Sequence, residues 1–221
     1  MKLTSILIVE DHIFVREGLR KILEGENDFY VLGEARDGRE AVILAKKLQP
    51  HVVLMDFSLP RLNGLEAARQ ILKALPNTKV LILSAHSQDK YIKDSIAAGA
   101  VGFLVKHTSA REVCEVIRHV CGGKLFFSGV PSPGLNHRHW PLSGDGKISK
   151  PKAKQLSSRE VEVLQLVAEG KKNKETAMEL GIGMKTVEKH RANLMRKLDI
   201  QGTASLTRYA LKTGIIEAKP D

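Results

Sequence analysis

The strongest constraint on this chain is an alternation, over its first 121 residues, of short apolar runs with amphipathic stretches. The apolar runs are 6–9, 30–33, 52–55, 80–83 and 102–105. Runs of that length suit strands covered on both faces rather than helices. Between them, apolar residues return with helical period, as in Val15, Leu19, Ile22 and Leu23, or Val113, Ile117 and Val120. Five strands alternating with five helices predict an α/β domain, a doubly wound five-stranded parallel sheet.

Such sheets bind ligands beyond the carboxyl ends of their strands. Here the first strand runs into Glu10-Asp11, the third into Asp56, the fourth into Ser84 and the fifth into Lys106. Three carboxylates, a hydroxyl and an ammonium are thus expected to converge on one pocket. Clustered carboxylates repel one another unless a cation neutralises them, and hard oxygen ligands suit Mg2+. Beside such an ion Asp56 could attack a phosphoryl group as a carboxylate nucleophile. Lys106 would offset charge on the transferring oxygens, and Ser84 would donate a hydrogen bond to one of them. A dinucleotide site would need a glycine-rich turn where the chain has Glu10-Asp11-His12, and no P-loop is present. Ser58 stands where an aspartyl phosphatase carries its second acid, which counts against turnover of a small substrate.

Charge divides the chain differently. Of the net +10, residues 1–121 contribute +2, residues 122–155 contribute +5 and residues 156–221 contribute +3. An excess of lysine and arginine in the last 100 residues is what a nucleic-acid-binding module carries. The stretch 122–155 holds six Gly, four Pro and four Ser and reads as a basic interdomain linker. Within it, Leu125-Phe126-Phe127 and Trp140 could dock onto a domain, while His137-Arg138-His139 lacks the neighbours of a metal site. No apolar run approaches the roughly 20 residues of a membrane helix and no secretory signal opens the chain, so a cytoplasmic protein with no membrane association is expected. Cys114 and Cys121 sit seven positions apart on one helix, too far for a bridge, and read as small buried hydrophobes.

From residue 156 the pattern is helical throughout, giving a small all-α domain of four helices. Ser157-Ser158-Arg159-Glu160 is a capping box ahead of Val161, Leu164 and Val167. A short helix from about 174 to 180, the turn Gly181-Ile182-Gly183 and a longer helix from about 184 to 198 form a helix-turn-helix candidate. Val187, Leu194 and Leu198 supply the buried stripe of the longer helix, leaving Lys185, Glu188, Lys189, Arg191, Ala192 and Arg196 toward solvent. The N-terminal part of such a helix enters the major groove of double-stranded DNA. There Lys189 could reach a guanine and Glu188 could accept from a cytosine. Lys172, Asn173, Lys174, Thr186 and Arg191 suit phosphates. Leu206, Tyr209, Ala210 and Leu211 of the last helix, about 203–213, are candidates for a homodimer contact.

Residues 1–121 resemble the receiver domain, flavodoxin-like in fold, of bacterial two-component response regulators. The resemblance rests on Ile8-Val9-Glu10-Asp11-His12, Asp56-x-x-Leu59-Pro60-x-x-x-Gly64, Leu83-Ser84-Ala85 and Gly99-Ala100-x-Gly102-Phe103-Leu104-x-Lys106. It implies that a sensor histidine kinase phosphorylates Asp56. It also implies that Glu10, Asp11, Asp56 and the Ser58 backbone carbonyl surround Mg2+. Ser84 and Phe103 would be the switch pair, with Phe103 turning inward behind Ser84, and Ser58 and His86 would flank the incoming water. Such a receiver catalyses only its own phosphoryl transfer and autodephosphorylation.

Residues 156–213 are similar to the LuxR-type DNA-binding domain of NarL/FixJ-family regulators. The matching pieces are Leu156-Ser157-x-Arg159-Glu160-x-Glu162-Val163-Leu164, Gly170-x-x-Asn173-Lys174-Glu175-x-Ala177, Thr186-Val187-x-x-His190 and Lys197-Leu198. Against the family pattern, Lys172 and Gly183 replace cap serines, Thr176 replaces a branched aliphatic and Glu188 replaces a common lysine. The two resemblances imply a phosphorylation-switched transcription regulator. A receiver that senses protein contact, or a phosphatase using Asp56, are the alternatives.

Overall fold

The computed structural model describes residues 3–127 and 156–217, and the chain divides into two compact units. In the N-terminal unit strands and helices alternate as β1 (Thr4–Val9), α1 (Ile13–Glu24), β2 (Phe29–Ala35), α2 (Gly38–Leu48), β3 (Val52–Asp56), α3 (Gly64–Ala74), β4 (Lys79–Ser84), α4 (Asp89–Ala97), β5 (Gly102–Val105) and α5 (Ala110–Cys121). A two-residue β6 (Phe126–Phe127) follows. All strands are parallel, in the order β2-β1-β3-β4-β5-β6. The order reverses direction at β1, so a crevice opens between the carboxyl ends of β1 and β3.

The apolar runs form strands because both faces of the sheet are covered. Ile6, Ile8, Leu54, Leu81, Leu83 and Leu104 share a core with Leu19 and Leu23 of α1 and Val113, Cys114, Val116, Ile117 and Val120 of α5. The alternate residues Leu7, Val9, Val53, Met55, Val80, Ile82 and Phe103 point to the other face and are buried as well. Asp37 caps α2 through the amides of Arg39 and Glu40, and Ser109 caps α5 through that of Glu112.

The sheet has six strands rather than the five expected. Gly102 explains the extra one, since a Cβ there would strike the Leu81 side chain and the Phe126 carbonyl. The absence of a side chain lets the Phe126 backbone approach, and its amide donates to Val101 O at 3.1 Å. Phe126 and Phe127 therefore dock as a sheet edge. Residues 128–155, with Trp140 and His137-Arg138-His139, lie outside the described residues. Cys114 is buried as expected, but Cys121 is exposed, because it ends α5 where the helix leaves the sheet.

The C-terminal unit contains α6 (Ser158–Ala168), α7 (Asn173–Leu180), α8 (Met184–Leu198) and α9 (Gly202–Thr213). Its core is Val163, Leu164, Leu166 and Val167 of α6 with Ala177, Leu180, Val187, Leu194, Leu206 and Ala210. The capping box at Ser157 is complete, since the Glu160 amide donates to Ser157 Oγ at 3.3 Å and the Ser157 amide to Glu160 Oε2 at 2.8 Å. Lys197 Nζ reaches the same Glu160 oxygen at 2.7 Å and ties α8 to the start of α6. Leu206 and Ala210 are fully buried in this core, which removes them from the expected dimer contact. Tyr209 is half-buried and Leu211 exposed.

Thr176 is fully buried, and its Oγ1 has no hydrogen-bond partner among the described residues. A buried hydroxyl without a partner destabilises a fold by about 1–3 kcal/mol. Thr176→Val, which keeps the shape and deletes the hydroxyl, is expected to raise the stability of the C-terminal unit by about 1 kcal/mol. Chemical denaturation followed on that unit checks this, and an unchanged or lowered midpoint refutes it.

Candidate functional site

The crevice between β1 and β3 receives the side chains that the sequence placed there. Glu10 follows β1 and is fully buried, Asp56 ends β3 at 2% exposure and Ser84 ends β4 fully buried. Lys106 follows β5, and its amide donates to Ser84 O at 2.7 Å, which holds the last two in register. The lysine Nζ lies 2.8 Å from Glu10 Oε2 and 2.9 Å from Asp56 Oδ2, bridging the two buried acids. The Ser58 amide donates to Asp56 Oδ1 at 3.4 Å.

Gly64 is needed at the end of the loop that follows Asp56. Its amide donates to Phe57 O at 3.0 Å, and a Cβ at this position would overlap the Asp56 carbonyl oxygen. The Asp56-to-Gly64 spacing is therefore a packing requirement on the backbone carrying the acid.

Burial, and then the charge of Glu10, push the Asp56 carboxyl up to about 7 against the pull of Lys106, with Asp11 adding in the same direction. Burial alone would lower Lys106, but Asp56 and Glu10 outweigh it and hold the ammonium above its ordinary value. One ammonium does not neutralise this acid set, so the pocket suits a further cation. Glu10, Asp11 and Asp56 offer oxygens to one, and His12 stands within reach of the same point.

His12 is a site residue to which sequence reasoning gave no role, although its place directly after two acids was visible. Arg16 is another. Its guanidinium donates to Glu10 O at 2.8 Å and pairs with Glu34 at 3.1 Å, bracing the acid-bearing turn. Tyr91 is the third. Its ring meets Phe57 edge-on at 4.8 Å and stacks on His86 at 5.4 Å, linking the loops after β3 and β4. Ser84 Oγ accepts from the His86 amide at 3.1 Å. Ser58 Oγ is buried without a hydrogen-bond partner among the described residues. Phe103 is fully buried on β5, on the strand that ends beside Lys106.

In the C-terminal unit the solvent face of α8 presents Lys185, Thr186, Glu188, Lys189, Ala192 and Arg196, all exposed, with His190 half-buried. Lys172 and Lys174 are exposed at the start of α7, and Asn173 is half-buried. Lys172 contributes no side-chain cap, yet its amide donates to Glu175 Oε2 at 2.7 Å, which keeps half of a capping box. Arg191 departs from expectation. It is half-buried, donating to Asn173 Oδ1 at 2.7 Å and Thr203 Oγ1 at 2.8 Å, because it sits where α7, α8 and α9 meet. It fixes the angle between helices instead of standing free.

Known proteins share both units. The family model "Response regulator receiver domain" matches residues 6–118, and "Bacterial regulatory proteins, luxR family" matches residues 154–210. The transcriptional regulatory protein LiaR of Bacillus subtilis is 37% identical over 213 residues, covering 96% of this chain and 98% of its own. The receiver domain of the response regulator NarL of Mycobacterium tuberculosis superposes with a TM-score of 0.54 at 29% identity, over 56% of this chain and all of that domain. The RcsB response regulator of Salmonella typhimurium gives a TM-score of 0.53 at 25% identity, over 95% of this chain and 98% of its own.

The raised Asp56 value has a consequence for stability. A carboxyl with a higher pKa folded than unfolded favours folding most when protonated, so its contribution is lost as pH rises from about 4 toward 7. Without divalent cations, Asp56→Asn is expected to stabilise the N-terminal unit at pH 7.5 by about 1–2 kcal/mol and to have little effect near pH 4. Mg2+ is expected to raise the melting temperature of the wild type more than that of the variant. Thermal melts across pH check this, and a variant less stable at pH 7.5 than at pH 4, relative to wild type, refutes it.

Proposed function

The chain belongs to the NarL/FixJ-type response regulators, DNA-binding transcriptional regulators of two-component systems, and on that premise we propose that Asp56 is its phosphoacceptor and α8 its reading helix. The observation that carries the first part is the Lys106 ammonium set between Glu10 and Asp56 on buried carboxylates. A carboxylate oxygen of Asp56 attacks the phosphorus of a phosphohistidine on a sensor histidine kinase. The P–O bond forms as the P–N bond breaks, and the imidazole leaves. Lys106 lies against the acceptor oxygen and offsets the negative charge of the incoming group. Glu10, Asp11, Asp56 and the Ser58 carbonyl would hold Mg2+, which supplies further charge neutralisation on the phosphoryl oxygens. Relatives of the chain are transcriptional regulators rather than enzymes. Its chemistry is accordingly limited to its own phosphoryl transfer and the later hydrolysis, with Ser58 and His86 beside the path of water.

Phosphorylation gives the Ser84 hydroxyl, which now accepts from the His86 amide, an acceptor for its own proton. Oγ leaves the His86 amide and donates to a phosphoryl oxygen, and the loop after β4 rearranges with it. Phe103 turns inward behind Ser84 as the other half of the switch pair.

On DNA, Lys189 and Glu188 face base edges in the major groove, with Lys185, Ala192 and Arg196 on the same exposed side of α8. Lys172, Lys174 and Thr186 meet phosphates and His190 stands among the DNA contacts, while Arg191 and Asn173 support the helix that does the reading. The outer residues Tyr209 and Leu211 of α9 join two copies as a homodimer on paired half-sites. The working divisions are a receiver at 1–121, a linker at 122–155 and a DNA-binding domain at 156–221, in a cytoplasmic protein. No helix among the described residues is long and apolar enough to cross a membrane.

Intact mass after incubation with a small phosphodonor and Mg2+ tests the phosphoacceptor. One added phosphoryl group is expected, absent in Asp56→Ala. No modification under any donor would favour a receiver that signals by contact. For DNA, a dimer touching about six phosphates is expected to lose affinity with a log–log salt slope of roughly −5. A slope near zero would mean that the exposed lysines are not the footprint.

A further inference from the structure

We infer that His12 is an additional ligand in the acid pocket and opens it to divalent transition ions such as Co2+ or Zn2+; the inference rests on reading that pocket as a cation site. One ligand atom from each of Glu10, Asp11, His12 and Asp56 falls within 4.8 Å of the others. Nδ1 of His12 lies 2.9 Å from Asp11 Oδ1 and 3.0 Å from Glu10 Oε1. The ring is held there by these carboxylates and not by packing, because the side chain is 69% exposed. It also does nothing for the helix that it precedes. His12 is the N-cap of α1, yet its side chain makes no capping hydrogen bond.

A ring nitrogen so close to two carboxylates has two ways to use the position. With the proton on Nδ1 it donates to Glu10 Oε1. With the proton on Nε2, Nδ1 presents a lone pair to the same space. Mg2+ prefers oxygen and retains its waters, so it gains little from imidazole. Later first-row ions bind imidazole well and follow the order in which Co2+ exceeds Mn2+. His12 is therefore a selectivity residue, dispensable for Mg2+ and needed for tight binding of ions that favour nitrogen.

The test uses the full chain carrying His137→Ala and His139→Ala, so that this unrelated pair contributes no cobalt binding. Co2+ and Mg2+ are titrated separately by calorimetry, with the visible absorption of Co2+ reporting nitrogen ligation. Adding His12→Ala is expected to weaken Co2+ by about ten-fold or more, to alter its spectrum and to leave Mg2+ within about two-fold. His12→Asn offers a good capping side chain and only an oxygen near the pocket, and is expected to behave in the same way. Unchanged Co2+ affinity and spectrum in both variants would overturn the inference while leaving the Mg2+ pocket intact. An equal loss for both ions would also overturn it, since His12 would then act through the carboxylates. Mg2+ binding that is absent, or that survives Asp56→Ala unchanged, would remove the cation site itself and this inference with it.

Discussion

Two buried carboxylates share one ammonium at the carboxyl edge of the sheet, and the rest of the N-terminal unit is arranged around that imbalance. Lys106 sits 2.8 Å from Glu10 and 2.9 Å from Asp56, just past a strand that pairs with the one carrying Ser84. Burying a carboxylate is tolerable only with compensating charge or hydrogen bonds. Here compensation is deliberately incomplete in the physical sense that Asp56 is pushed up to about 7, so the pocket favours the arrival of positive charge and of groups that bring it. The fold supplies the position at low conformational cost. The reversal of strand order at β1 leaves the crevice open, and Gly64 lets the chain turn back tightly beside Asp56.

The C-terminal unit meets a different requirement, to hold one helix rigidly with its charged side outward. Its core is small, and polar contacts carry much of the alignment. Glu160 accepts from the Ser157 amide and pairs with Lys197, joining the first turn of α6 to the last turn of α8. Lys197 and the Ser157 bonds outweigh burial and keep the Glu160 carboxyl below its ordinary value. Arg191 joins α7, α8 and α9 through Asn173 and Thr203. A helix fixed at its last turn and at its middle presents Lys185, Glu188 and Lys189 on its exposed side.

Most of the pocket was legible because strand ends are readable. A run of apolar residues that stops at Glu10, Asp56, Ser84 or Lys106 states where those side chains emerge, and parallel pairing brings them together. What pattern cannot state is which partner an exposed-looking side chain will choose. Arg191 has the spacing of a solvent-facing residue, yet Asn173 and Thr203, 18 and 12 positions away, draw it inward. Leu206 and Ala210 looked available for dimerisation because helical period does not say which stripe of α9 meets α6; packing in the core settled it. His12 and Tyr91 were missed for a related reason. Each acts through a neighbour on another loop or a carboxylate beside it, and neither belongs to a periodic pattern.

The sixth strand has a mechanical meaning. Phe126 and Phe127 pair with Gly102 and Phe103, so the segment leaving the sheet shares a hydrogen-bond ladder with β5. Three residues beyond Phe103 on that same backbone is Lys106. The last described strand of the N-terminal unit and the lysine of the pocket are thus anchored on one element, β5, the former along its side and the latter just past its end.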